Sequence, residues 1–137
     1  MRKRIIAVLM TATLFCSSLT VQAKGFEPTN ENGFIRIRTT AYTAPEGKST
    51  ATGHPVRYGV CGVNKRWLCS YGGTEWCAAI YSEDGTEFFG YFDCFDTGAD
   101  SENQTLIDIY HPDLDGCQEW MEKTGGYVLV KFIKAEG

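Results

Sequence analysis

Apolar residues recur at every second position in six short runs set between turn-forming residues, and this spacing constrains the fold more than any other feature. The first run begins at Phe34, Ile35 and Ile37 with Arg36 and Arg38 between them, and continues through Thr39-Thr40-Ala41-Tyr42-Thr43. Arg57–Val63, Cys77–Tyr81, Glu87–Phe95, Thr105–Tyr110 and Tyr127–Ile133 follow. Pro45, Gly47, Gly53 and Pro55 mark residues 44–55 as a loop, and Glu83-Asp84-Gly85 predicts a hairpin between the third and fourth strands. Only Asp115–Lys123 has helical spacing, with Cys117, Trp120 and Met121 on one side, a capping aspartate nearby at Asp113, and Gly125-Gly126 as a stop. Strands this short and this closely spaced favour a small barrel or sandwich over a βαβ fold. No dinucleotide, Walker or HExxH pattern interrupts them.

The chain ahead of the first run reads differently. Met1-Arg2-Lys3-Arg4 is basic, Ile5 to Phe15 is mostly apolar, and Val21-Gln22-Ala23 carries small residues where a signal peptidase inspects the chain. Residues 1–23 are therefore expected to be a secretory signal, too short and too interrupted to span a bilayer. Phe15 is too bulky for a lipid-attachment motif at Cys16. Residues 24–33 read as a flexible lead-in and residues 34–137 as one domain. Of the 137 residues, 114 remain after the leader, which fits a single small domain. The leader holds three of the 13 basic residues and none of the 17 acidic ones, so the remainder carries a net charge of −7. That excess argues against nucleic-acid binding and, once the signal is removed, against an anionic membrane surface.

Removal of Cys16 leaves Cys61, Cys69, Cys77, Cys94 and Cys117. Export permits disulfides, and a domain of this size gains from them, so all five are candidates. Five is odd, which leaves one thiol over, and sequence alone does not give the pairing. No two of these cysteines have the short separation of a zinc site, and both histidines lie elsewhere, so no metal site is expected.

Two carboxylates stand out. Alternation along Thr105–Tyr110 places Ile107 and Ile109 on one face and Leu106, Asp108 and Tyr110 on the other. Aspartate is depleted in strands, and a shielded Asp108 would have the raised pKa a general acid needs; the alternative is a solvent-facing charge on the barrel's open side. Asp96 ends an apolar strand before Thr97-Gly98, where it either points into a cleft or accepts hydrogen bonds from its own turn. Asp93 has the opposite parity in a regular strand and reads as a surface charge unless a bulge intervenes. His54 and His111 each precede a proline and read as solvated loop residues. Trp67, Trp76 and Trp120 suit either a sugar-stacking platform or core packing. Asn103-Gln104-Thr105 fits a glycosylation sequon.

Thr40-Ala41-Tyr42-Thr43, Thr50-Ala51-Thr52-Gly53, Gly62-Val63-Asn64, Asp96-Thr97-Gly98, Ile107-Asp108-Ile109-Tyr110 and a closing Tyr127-Val128-Leu129-Val130 occur in that order. The series, over roughly residues 38–134, resembles the three-aspartate domain shared by membrane-bound lytic transglycosylase A proteins and the stationary-phase-survival and resuscitation-type muralytic proteins. The resemblance implies a mainly β fold: a six-stranded double-psi β-barrel with one short helix, here expected to be disulfide-stabilised. It implies cleavage of peptidoglycan between N-acetylmuramic acid and N-acetylglucosamine, with the muramyl 6-hydroxyl as internal nucleophile. By position Asp108 matches the acid/base, Asp96 its partner carboxylate, and Tyr42, Thr52 and Thr97 polar positions around the cleft.

Asn64 stands where the family has its first aspartate. The loop from Gly98 to Gln104 lacks the family's lysine, and Asp96 to Asp108 is one residue longer than its common spacing. A Cys61–Cys117 bridge closing the terminal helix onto the barrel is a further expectation. The leading reading is a secreted bacterial cell-wall lyase, monomeric and without a cofactor, acting on peptidoglycan glycan strands. The alternatives are a non-catalytic wall-binding or wall-loosening barrel and a disulfide-stabilised structural or inhibitor protein.

Overall fold

A computed structural model describes residues 32–98 and 106–134. The leader, Cys16, residues 24–31 of the lead-in and the Asn103-Gln104-Thr105 sequon lie outside the described residues. The elements follow in the order β1 (Ile35–Tyr42), β2 (Val60–Val63), α1 (Lys65–Tyr71), β3 (Trp76–Ser82), β4 (Phe88–Thr97), β5 (Leu106–Tyr110), α2 (Leu114–Thr124) and β6 (Tyr127–Lys134). The strands close into a ring, β1-β5-β2-β4-β3-β6. β1 with β5 and β2 with β4 run parallel, and the other neighbours are antiparallel.

Every strand sends alternate residues into one core: Ile37, Cys61 and Val63, Ala78 and Ile80, Phe92 and Cys94, Ile107 and Ile109, Val128 and Val130. The lumen is thus filled by the chain's own side chains, as closure of a small barrel requires. α2 seals it. Asp113 caps the helix by accepting from the Gly116 amide at 2.7 Å, and Gly125 ends it in the left-handed region at φ 63°. Its fully buried Trp120 donates from Nε1 to Thr39 Oγ1 at 2.9 Å, and Thr39 in turn donates to the Ile107 carbonyl at 2.9 Å. One polar relay therefore ties helix, β1 and β5 together.

The six strands and the Ser82–Glu87 hairpin stand where alternation places them, with Asp84 Oδ1 accepting from Ser82 Oγ, Thr86 N and Thr86 Oγ1. The expectation of one helix is corrected to two. α1 has seven residues, none of them buried, so it leaves no apolar periodicity to read; its signal is Asn64, whose Oδ1 accepts from the Trp67 amide at 2.8 Å.

The cysteine expectations change as well. Cys61, Cys69, Cys77, Cys94 and Cys117 all stand as free thiols in this structure, so disulfide stabilisation is not seen among the described residues. Cys61 faces Cys94, with the sulfurs 3.7 Å apart, and not Cys117. The reason is register: Cys61 and Cys94 are directly opposed across the parallel β2/β4 pair and both point into the core.

Candidate functional site

The outward residues of four adjacent strands form the site. Cα partners line up as Thr40 with Asp108, Asp108 with Gly62, and Gly62 with Asp96, a row crossing β1, β5, β2 and β4. Neighbouring strands are about 4.8 Å apart, so the two aspartates flank β2 with one glycine between them. Sequence alternation correctly turns Asp108 away from the Ile107/Ile109 core face.

Asp96 arrives in this row by a bulge. Cys94 stands opposite Cys61 and Asp96 opposite Gly62, so β4 uses two residues where β2 uses one. The extra residue reverses parity after Cys94 and gives Asp93 and Asp96 partners, Val60 and Gly62, on the same face of β2. The reading that separates their faces holds only for a regular strand. Asp93 is held apart from the site by an ion pair with Arg57 at 2.6 Å.

Beyond Asp96 the backbone folds back over β2. The Gly98 amide bonds the Val63 carbonyl at 3.0 Å, and a Cβ on Gly62 would come within 3.0 Å of the Thr97 carbonyl carbon and oxygen. Gly98 lies against Leu106 and the Asp108 Cβ. The Asp-Thr-Gly and Gly-Val segments thus have a local cause: two glycines let one backbone cross another beside Asp108.

Three donors hold the Asp96 carboxylate. Oδ1 accepts from the Ala51 amide at 3.1 Å and the Thr97 amide at 3.0 Å, while Oδ2 accepts from the Tyr42 hydroxyl at 3.3 Å. Ala51 is available because Thr50-Ala51-Thr52-Gly53 is a tight turn, with Gly53 at φ 85° and its amide bonding the Thr50 carbonyl. Thr52 fastens that turn to β4: its amide and its hydroxyl both donate to the Phe95 carbonyl, at 3.0 and 2.9 Å. Val56, Val60, Phe95 and Tyr110 form a second small core beneath the loop.

Asp108 accepts from Thr40 Oγ1 at 2.8 Å. Desolvation pushes its carboxyl above the usual carboxylate range; the Thr40 bond opposes this and the Asp96 charge adds to it. Tyr42 is likewise pushed far up, by burial first and then by the charges of Asp96 and Asp108, so its phenol stays protonated and donates to Asp96. A half-buried acid beside a second carboxylate and a neutral phenol is suited to proton transfer.

The remaining residues singled out by sequence are placed as follows. Thr97 contributes its backbone to Asp96. Asn64 is buried, and its side-chain oxygen is committed to capping α1. His54, expected to be solvated, stacks on Phe95 with ring centroids 4.1 Å apart and lies 2.9 Å from Thr52 Oγ1 through Nδ1. His111, also expected to be solvated, packs on Trp120 and Tyr58, and its buried Nε2 has no hydrogen-bond partner among the described residues. Burial, then Lys123, holds its pKa down. Trp120 belongs to the core, so the three tryptophans form no common platform. Trp67 instead packs edge-on to Phe132 beside an open groove of about 250 Å³ that includes Ile35, Tyr71 and Val130, at the other end of β1 from Thr40.

Thr40 and the Ala51 amide are the partners sequence reasoning missed. Thr40 had a signal, since it shares a β1 face with Tyr42; Ala51 had none, because its role comes from a backbone amide. Among the described residues no group of three or more His, Cys, Asp or Glu could hold a metal ion, and no helix is long and apolar enough to cross a membrane. No protein-family model matches the chain, and no curated protein matches it significantly.

Proposed function

We propose that this chain is a secreted, lytic-transglycosylase-like enzyme cutting the glycan strands of bacterial peptidoglycan, with Asp108 as acid/base. The observation that carries this is that Asp96 and Asp108 flank Gly62 in one row, with Tyr42 donating to Asp96 and the Asp108 carboxyl pushed up by its surroundings. In the reaction implied by the resemblance, protonated Asp108 gives its proton to the glycosidic oxygen as the C1–O bond breaks. The muramyl 6-hydroxyl then bonds to C1, and the Asp108 carboxylate takes the hydroxyl proton. The enzyme ends as it began, and the products are a new 4-hydroxyl end and a 1,6-anhydro ring. Because the substrate supplies the nucleophile, one proton-transferring carboxyl suffices, and the spacing rule for paired glycosidase carboxylates does not apply. Asp96 positions Tyr42 and raises Asp108 by its charge. The basic, then apolar, leader supports export, and two parallel pairs within a closed six-stranded ring support the double-psi arrangement.

Digestion of purified peptidoglycan followed by mass spectrometry tests the reading. The chain should release anhydro-muropeptides, and Asp108→Asn should slow release by about 10²–10⁴-fold, the usual contribution of a general acid–base. Absence of anhydro products from the unaltered chain overturns it. A non-catalytic wall-binding barrel is favoured by one observation: Asn64 brings no carboxylate and is engaged as a helix cap. Retention on insoluble peptidoglycan without soluble product would select that function.

A further inference from the structure

We infer that Cys61 and Cys94 are the pair that becomes a disulfide when this chain folds under oxidising conditions. The two residues are Cα partners in the parallel β2/β4 ladder, and both side chains point into the core with no exposed surface. Neighbouring strands are about 4.8 Å apart, inside the roughly 4.4–6.8 Å Cα separation that a disulfide spans. Their sulfurs are 3.7 Å apart. A bond needs about 2.05 Å, so each sulfur has to move by less than about 1 Å, a small side-chain rotation with the backbone in place.

The other three cysteines are placed differently. Cys69 is exposed on α1, Cys117 is half-buried on α2, and Cys77 is on β3, where its ladder partner is Ile133. The odd cysteine count then has a simple resolution: one internal bridge and three thiols.

The chemistry needs a disulfide reagent, either a small-molecule disulfide or a dithiol oxidase of the export pathway. A thiolate from one cysteine attacks the reagent's S–S bond and releases one reduced thiol. The partner thiolate then displaces the second, so two protons and two electrons leave the protein and two reagent thiols form. Timing follows from burial. In the folded barrel Cys61 is sealed off, and desolvation followed by the neighbouring Cys94 keeps its thiol far from ionising. Exchange therefore happens while β2 and β4 are still coming together, and the native barrel preserves whichever redox state it closed on.

The test is refolding of the full chain from guanidinium chloride, once with a glutathione/glutathione disulfide couple and once with excess dithiothreitol. The folded fraction of each is unfolded in an alkylating agent and digested. The oxidised sample should yield a peptide linked through Cys61 and Cys94 and should melt several degrees higher. Its bond should resist dithiothreitol until denaturant is added. In the native reduced protein, iodoacetamide should modify Cys69 and leave Cys61 and Cys94 intact. A variant carrying Cys16→Ser, Cys69→Ser and Cys117→Ser should form the same link. Cys61 and Cys94 both alkylated in the oxidised folded fraction, or either linked to a different cysteine, overturns the inference.

Discussion

At Asp108 a single hydroxyl opposes two forces. Burial and the Asp96 charge favour the protonated carboxyl, while the Thr40 bond favours the ionised one. The net upward shift has a definite sign for stability. A carboxyl that holds its proton more tightly folded than unfolded makes the folded state lose stability as pH rises from the ordinary carboxyl pKa of about 4 through the raised value. Asp108→Asn removes that loss and can still accept from Thr40. The variant should melt above the unaltered chain at pH 7, with the difference shrinking toward pH 3; a difference independent of pH counts against the argument. Alternation alone revealed which way Asp108 faces. It failed for Asp96, because no feature of Phe92-Asp93-Cys94-Phe95 announces that the ladder skips a residue there.

At the level of elements, strands were legible and the short helix was not. Each strand alternates against one core and so repeats its own evidence, whereas α1 has seven residues and buries none of them. It depends on its cap. Asn64→Ala should cost about 1 kcal/mol in denaturant unfolding, with far-UV dichroism reporting local loss of helix. The β2/β4 crossing is less forgiving. Gly62→Ala sets a methyl group against the Thr97 backbone at 3.0 Å, where no flexible side chain can yield. A cost of about 1–3 kcal/mol is expected, with amide shifts in a two-dimensional NMR spectrum concentrated at Thr97, Gly98 and Asp108. An alanine variant with unchanged shifts there would mean that the strap is not seated on Gly62. The loop over Asp96 was legible as a loop, but not as a ligand, since its contribution is the Ala51 amide.

For the whole molecule, the order of the ring was beyond reach of the sequence. β1 lies beside β5 and β6, and the Thr40–Asp108 bond joins residues 68 apart in the chain. Local patterning carries no record of such partners. These distant pairings must form before the barrel gains its core, so refolding should take milliseconds to seconds. Stopped-flow fluorescence can follow it, since Trp120 passes from solvent to full burial. A microsecond phase accounting for the whole Trp120 signal would contradict so non-local a nucleus.

The outward row of Thr40, Asp108, Gly62 and Asp96 alternates with inward residues that hold the barrel shut. The demands of the proposed site and of the core therefore fall on the same strands at different positions. If the proposed function holds, substitutions at Thr40 or Asp108 would retune or extinguish chemistry while Ile107 and Ile109 keep their neighbours, and descendants of such a chain could trade cutting for gripping without rebuilding the scaffold.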